Sequence, residues 1–291
     1  MVEPKAARET RTLEGVSLVQ FNHGQREITL KVVFYGPALS GKTTNLQMIH
    51  QFLDPQARGR LMSLDTADDR TLFFDLLPVF FKSKSGFKVK IKLYTVPGQV
   101  MHTSTRRIVL SGADGIIFVA DSQRSEARAN NEAWRSMMEN LRENGITADD
   151  IPIALQFNKR DLPDIRTDAE LDELRQKSRE PVFGAVAVRG EGVLETLFAL
   201  LKLTYRNLNQ RYDFEGKFAI SEGEFLRAVF RKVNADAAAR VTAKDEPAES
   251  GTHARLEQSS VVHGLDAAGM LARPPRSGFH FDDAAKKTGG A

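Results

Sequence analysis

Hydrophobic and polar positions along the chain predict a hairpin followed by alternating strands and helices. Two β-rich runs, at 16–21 and 28–35, flank a short polar turn, which is the spacing of a β-hairpin. A second pair of strands is predicted at 72–81 and 87–93, and lysines alternate with apolar residues along the latter. The remaining predicted elements are helices at 43–53, 168–177 and 193–208, and strands at 115–120, 153–157 and 182–188. A further helix is predicted with a core face that carries Trp134, Met137, Met138 and Leu141. This repetition predicts an α/β fold: a doubly wound, mostly parallel sheet with one antiparallel strand and an extra N-terminal hairpin strand.

The same pattern divides the chain into one globular domain and weaker flanking segments. After the last long helix, Ser221 and Glu224 have the spacing of a capping box that opens another helix. The apolar side of that helix either packs on the chain's own domain or docks a partner or an anionic membrane surface. Further on, Ala, Gly, Ser, Pro and charges dominate, a composition typical of disorder. The predicted parts are a flexible tail at 1–14, the domain at 15–208, a short helix within 209–240 and a disordered tail at 241–291.

The composition excludes several classes of protein. The 41 basic and 38 acidic side chains leave a net charge of +3, and no basic stripe carries interleaved aromatics, so we expect no nucleic-acid partner. Cysteine is absent, which excludes disulfides and thiolate catalysis and fits a reducing compartment. No apolar run reaches the roughly 18–20 residues of a spanning helix, and neither Val2 nor the 289–291 terminus matches a lipidation motif. We therefore expect a cytoplasmic protein with no direct membrane anchor.

One loop carries the pattern of a phosphate-binding site. Residues 36–43 read GPALSGKT and match G-x-x-x-x-G-K-[ST] between a predicted strand and a predicted helix. Gly36 and Gly41 allow the backbone to curl so that its amides face phosphate oxygens, and the helix adds its positive end. Lys42 would span the β- and γ-phosphates, and the Thr43 hydroxyl would bind Mg²⁺. A plain glycine turn is the alternative. The predicted nucleotide contacts of this loop are Gly36, Pro37, Ala38, Leu39, Ser40, Gly41, Lys42, Thr43 and Thr44.

A second motif predicts that the purine is guanine. Residues 158–161 read NKRD and follow directly on an apolar strand. The Asp161 carboxylate can accept hydrogen bonds from N1 and N2 of guanine, whereas adenine presents the opposite pattern. Asn158 would hold the base edge and the loop, and the Lys159 side chain would cover the ring face. A solvated turn is the alternative, which the phosphate loop upstream disfavours.

At these motifs the sequence resembles the Ras-like small GTPases and, more narrowly, the bacterial MglA family, which controls cell polarity and gliding motility. The resemblance covers about residues 16–207. It is carried by 36–46 (GPALSGKTTNL), 67–75 (ADDRTLFFD), 94–100 (YTVPGQV), 114–122 (DGIIFVADS) and 158–163 (NKRDLP). It implies a P-loop NTPase fold of the Ras-like G-domain type and polar assembly of the active form.

The resemblance also implies roles for residues outside the two motifs. Gln99, directly after Gly98, stands where these proteins keep the side chain that orients the attacking water. Arg70 resembles the intrinsic arginine finger of the family, and a solvated charge is the alternative. Thr71 would bind Mg²⁺ and sense the γ-phosphate, unless it is only a β-branched residue that opens a strand. Ala187 is what remains of a base-contact segment. The expected catalytic residues are Gln99, Arg70 and Lys42.

Two positions depart from the usual pattern of Ras-like proteins. Ala38 stands where these loops usually carry glycine, which would narrow the room beside the γ-phosphate and slow turnover. Thr95 stands where Ras-like proteins keep an aspartate that holds a magnesium water. The MglA family also has a threonine at this position. Asp75, in an apolar run on the adjacent strand, is our candidate for the missing carboxylate; an edge-facing or capped aspartate is the alternative. The expected metal ligands are Thr43, Thr71 and Asp75.

The motifs and the resemblance together predict a molecular switch. We expect a monomer that binds GTP and GDP with Mg²⁺, hydrolyses GTP slowly when unaided and binds effectors in the GTP form. The resemblance implies a roadblock-type GTPase-activating partner of the MglB kind. Two alternatives stay open. One is a GTP-binding scaffold with little or no hydrolysis, in keeping with Ala38 and Thr95; the other is an ATPase, which Asp161 disfavours.

Overall fold

The computed structural model describes residues 20–22, 26–64, 74–83, 85–97 and 103–242. The strands in this part of the chain are β1 (Gln20–Asn22), β2 (Glu27–Tyr35), β3 (Met62–Leu64), β4 (Phe74–Lys82), β5 (Lys88–Thr95), β6 (Gly115–Asp121), β7 (Ile153–Asn158) and β8 (Val182–Gly184). The helices are α1 (Lys42–Phe52), α2 (Thr103–Leu110), α3 (Ala127–Glu143), α4 (Asp168–Lys177), α5 (Val193–Tyr212), α6 (Phe214–Phe218), α7 (Glu222–Phe230) and α8 (Ala235–Thr242). None of the helices described is both long enough and apolar enough to span a membrane.

The strands form one eight-stranded sheet in the order β3-β4-β5-β2-β6-β7-β8, with β1 paired to the first residues of β2. Strands β5, β2, β6, β7 and β8 are mutually parallel, and β4 runs antiparallel between β5 and β3. This arrangement confirms the predicted fold class, including the hairpin of β1 and β2. Because the parallel strands point the same way, their carboxyl ends meet at one edge of the sheet.

Two apolar layers sandwich the sheet. On one face, α1 and α5 pack against side chains of β2, β5 and β6, with Leu46 and Leu200 fully buried among them. On the opposite face, α2, α3 and α4 cover β6 and β7, and the Trp134 ring lies edge-on to Phe118 with centroids 5.1 Å apart. Strands β6 and β7 are buried along their whole length because helices cover both of their faces.

The segment after α5 packs on its own domain. Ser221 caps α7 by accepting a hydrogen bond from the backbone N–H of Glu224, as the sequence spacing indicates. Phe225 of α7 contacts Phe81 of β4 edge-on, with ring centroids 5.8 Å apart. The structure therefore favours packing on the domain over a free docking face for this helix.

Two predicted boundaries are wrong, and two elements were not predicted. The strand expected at 182–188 ends at Gly184, because Gly190 and Gly192, both with positive φ, turn the chain back and pair Val186 with Glu191. Helix α5 continues to Tyr212, four residues past the expected end at 208. Helix α2 and the short edge strand β3 were not predicted, because three-residue strands and eight-residue helices carry little periodicity.

Candidate functional site

The phosphate loop leaves β2 at its carboxyl end and enters α1 at the first helical residue, Lys42. Gly36 and Gly41 have φ values of 148° and 98°, which L side chains rarely adopt. A Cβ on Gly36 would lie 2.2 Å from the Val119 carbonyl oxygen, and one on Gly41 would lie 2.2 Å from Asn158 Nδ2. Both glycines are therefore required by backbone conformation and by close approach of neighbouring loops.

The interior of this loop holds a buried ammonium group. Lys42 is 7% exposed, and its Nζ donates hydrogen bonds to the carbonyl oxygens of Gly36, at 3.1 Å, and Pro37. The Ser40 hydroxyl is fully buried and has no hydrogen-bond partner among the residues that the structure describes. An ammonium folded back on loop carbonyls, beside an orphaned hydroxyl, fits a loop that closes around an anion.

The donor set near the loop also fits a magnesium ion held mainly by phosphate oxygens. Thr43 lies at the start of α1 with an exposed side chain. Among the residues that the structure describes, no group of three or more His, Asp and Glu side chains is placed to hold a metal by itself. Magnesium commonly takes one or two protein ligands and completes its shell with phosphate and water. Leu76 of β4 is paired with Tyr94 of β5. Asp75 precedes Leu76 on β4, so this register brings the Asp75 backbone level with Thr95.

Asn158 joins three loops at the edge of the sheet. It closes β7 and is 3% exposed. Its Nδ2 donates to the Ser40 carbonyl at 2.8 Å, and its Oδ1 accepts from the Ala187 backbone N–H at 2.9 Å. One side chain thus connects the phosphate loop, the NKRD loop and the turn that contains Ala187. The structure brings these three predicted segments together.

Lys159 and Asp161 of the NKRD loop form ion pairs that the sequence did not predict. Lys159 has a positive φ of 66°, and its Nζ lies 2.6 Å from Asp121 Oδ2 at the end of β6. The Asp161 side chain is 23% exposed, and its Oδ2 lies 4.0 Å from an Arg189 nitrogen. At that distance the pair is loose, so the carboxylate can turn to another donor. The sequence does contain a signal for Asp121. It is an acidic residue that closes an apolar strand, within a segment that carries the family resemblance.

Two apolar side chains are exposed beside these loops. Leu39, at the tip of the phosphate loop, is 88% exposed and has a φ of 60°. Val188, in the turn after Ala187, is 66% exposed. Exposed apolar side chains of this size next to a polar loop are suited to contact a ligand's flat or apolar surface.

A buried arginine links the end of β5 to α3. Arg106 of α2 is 3% exposed; its Nε donates to the Pro97 carbonyl at 2.9 Å, and a terminal nitrogen lies 3.4 Å from Ser136 Oγ. The same hydroxyl lies 3.1 Å from the Tyr35 hydroxyl, which also accepts from Asn140 Nδ2 at 3.1 Å. Sequence reasoning missed this network because its members are far apart in the chain and match no motif. The network attaches the backbone just before Gly98 to the strand that precedes the phosphate loop.

Four predicted residues cannot be placed. Arg70, Thr71, Gly98 and Gln99 lie outside the described residues. The side chain of Asp75 also falls outside the description, although its backbone is part of β4. Their proposed roles therefore remain predictions.

Comparison with known proteins gives the family. No protein-family model matches the chain. The chain is 45% identical, over 189 residues, to mutual gliding-motility protein MglA of Myxococcus xanthus (strain DK1622). The matched region is 65% of this chain and 97% of that relative. Nearly the whole relative is thus covered at high identity, and the observed sheet is that of a Ras-like P-loop GTPase, so the chain belongs to the MglA family.

Proposed function

We propose that the chain is a guanine-nucleotide switch that binds GTP and GDP with Mg²⁺ and hydrolyses GTP. The observation that supports this most is the junction at Asn158, which joins a glycine-rich phosphate loop to an NKRD loop with a buried side chain. A protein that bound only phosphate would have no need to fix a second, carboxylate-bearing loop against the first.

Binding follows from the residues of the two loops. Lys42 would exchange its carbonyl partners for oxygens of the β- and γ-phosphates, and the loop amides would add hydrogen bonds. Asp161 would turn from Arg189 to accept from guanine N1 and N2. Lys159, held by Asp121, would keep its methylene stem over the ring face.

Hydrolysis depends on positioning and charge neutralisation. We propose that Gln99 orients the attacking water and that Arg70 and Lys42 neutralise charge developing on the γ-phosphate. Thr43 and Thr71, with Asp75 nearby, would hold Mg²⁺, which neutralises the charge on the phosphate oxygens when bound. Arg106 supports the segment before Gln99 through its bond to the Pro97 carbonyl.

The two nucleotide states would be read by partners. We propose a monomeric, cytoplasmic protein that acts in gliding motility, the process named for the Myxococcus relative, or in cell polarity, which the family resemblance implies. A roadblock-type GTPase-activating protein would accelerate hydrolysis, and effectors of the GTP form would place the protein at cell poles.

The test is single-turnover hydrolysis of bound GTP, with and without a roadblock-type protein. We expect slow phosphate release that the partner accelerates, and loss of the accelerated rate in Gln99→Leu and Arg70→Ala variants. Gln123→Leu, at a glutamine outside the loops, is the control and should keep the wild-type rate. No phosphate release under either condition, despite tight GTP binding, would instead identify a GTP-binding scaffold.

A further inference from the structure

One face of the sheet carries a concentration of lysines. Along β5, the side chains of Val89, Ile91 and Leu93 enter the apolar layer under α1 and α5. Strand alternation places their neighbours on the opposite face. That face carries lysines from three adjacent strands, and we call them the lysine face: Lys31 of β2, Lys82 of β4, and Lys88, Lys90 and Lys92 of β5.

The strand register brings these like charges side by side. Lys82 is paired directly with Lys88, and Lys31 with Lys92. Neighbouring strands lie about 5 Å apart and alternate residues of one strand about 7 Å apart, so the ammonium groups form a dense grid. Like charges placed directly opposite destabilise a sheet. Burial lowers the pKa of Lys31, Asp114 opposes this change, and Lys92 adds to it, as expected for crowded cations.

Little acidic charge offsets the grid. In the part of the chain that the structure describes, none of these five lysines forms an ion pair. Glu27 lies beside Lys88 at the start of β2. Asp114 is buried and accepts from the backbone N–H of Lys31. Counted over the residues that the structure describes, the face therefore carries a net positive charge.

The lysine face also lies mostly outside the described apolar layer on that side of the sheet. Apart from Tyr94 at the end of β5, no described side chain of β4 or β5 packs in the layer under α2 and α3. Phe80, opposite Lys90, is 40% exposed, and the Lys90 ammonium lies 5.2 Å from its ring centroid. The Lys31 ammonium lies 5.0 Å from the Tyr94 ring in the same way. Cationic groups therefore alternate here with aromatic surface, and the Lys31 ammonium also donates to the carbonyl of Ser111, directly after α2, at 2.8 Å.

We propose that the lysine face binds the surface of an anionic phospholipid bilayer. A grid of point charges without arginine suits a continuous anionic surface better than the directional carboxylates of a folded protein. The aromatic rings of Phe80 and Tyr94 suit the headgroup level. Such association is reversible and needs neither a lipid anchor nor a spanning helix.

The geometry leaves the nucleotide site open during this contact. Lys82 and Lys88 lie at the end of the β4–β5 hairpin, where β5 begins. The phosphate loop and Asn158 lie at the opposite, carboxyl edge of the parallel strands. The proposal therefore does not depend on nucleotide binding, and the test can use the full chain as purified.

The test is co-sedimentation of the full chain with phosphatidylcholine vesicles that contain or lack phosphatidylglycerol. Each lysine near an anionic surface contributes about fivefold to the partition coefficient, so Lys88→Gln/Lys90→Gln/Lys92→Gln should lower binding on the order of 100-fold. The matched control is Lys177→Gln/Lys217→Gln/Lys232→Gln, which removes the same charge elsewhere and should retain most binding. Wild-type binding should also fall between about 0.1 M and about 1 M salt.

A second variant guards against misfolding of the triple mutant. Lys82→Gln/Lys88→Gln alters two exposed positions at strand ends and should lower binding by about 25-fold. Equal losses in the control variant, or equal binding to vesicles without phosphatidylglycerol, would overturn the proposal. Failure to bind anionic vesicles, with tight binding to polyglutamate instead, would also overturn it and identify an acidic protein partner.

Discussion

Removal of the Asn158 side chain should uncouple three loops at once. In Asn158→Ala, the buried Ser40 carbonyl and the buried Ala187 N–H both lose their amide partner. A buried polar group without a partner costs about 1–3 kcal/mol, so the two together should lower the free energy of unfolding by about 2–6 kcal/mol. The lower end applies if water enters and replaces the amide.

The loss should appear in nucleotide affinity as well as in stability. The phosphate loop and the NKRD loop would no longer be held together, so nucleotide binding would have to order both loops. A loss of only 1.4 kcal/mol in binding already weakens affinity tenfold, so we expect at least a tenfold fall for GDP. The assays are urea unfolding and titration with fluorescent GDP.

The control for this variant is Asn144→Ala. Asn144 Nδ2 donates to the Arg107 carbonyl at 2.8 Å, but that bond is accessible to solvent. Its loss should cost no more than about 1.5 kcal/mol and leave GDP affinity unchanged. If Asn158→Ala unfolded at the wild-type urea concentration and bound GDP equally well, the reasoning about the three-loop junction would be refuted.

Three further variants test other parts of the structure. Asp161→Asn should weaken GTP binding and favour xanthosine triphosphate, because an amide donates where the carboxylate accepts. Competition titrations between the two nucleotides would show this change, and an unchanged preference for GTP would contradict it. Gly36→Ala should abolish nucleotide binding, because its Cβ would clash at 2.2 Å with a buried carbonyl oxygen; wild-type affinity would contradict that contact. The Glu170 carboxyl loses solvation on burial, but hydrogen bonds from Thr167 and Arg124 outweigh this and lower its pKa. Glu170→Gln should therefore be less stable than wild type by up to about 1 kcal/mol at neutral pH, and the difference should vanish as pH falls through the lowered pKa; a difference that grows in acid would contradict the sign.

Features that are local in the chain could be predicted from the sequence. The strand–loop–helix turn at 36–43 could be predicted from GPALSGKT because its two glycines and the start of α1 lie close together in the sequence. Its role in phosphate binding stays a prediction. The alternation of Lys88, Lys90 and Lys92 with apolar residues predicted a strand with one covered face, and β5 has this pattern.

Features that depend on packing between distant elements could not be predicted. The bonds of Arg106 to Pro97 and Ser136 arise because α2 lies between β5 and α3, which no periodicity reveals. The pairing of Lys159 with Asp121 likewise requires β6 and β7 to be adjacent and in register. The predicted strand at 182–188 was too long because Val182, Val186 and Val188 favour a strand locally, whereas the tertiary turn at Gly190 ends it.

Displacement of a fluorescent GDP analogue from the purified chain, with and without Mg²⁺, tests the proposed switch most directly. Unlabelled GTP and GDP should displace the analogue at concentrations no higher than that of the analogue, whereas ATP should not displace it. Removal of Mg²⁺ by a chelator should speed the release of the analogue. Displacement by ATP as effective as that by GTP, or no magnesium-dependent binding of the analogue, would contradict a guanine-nucleotide switch.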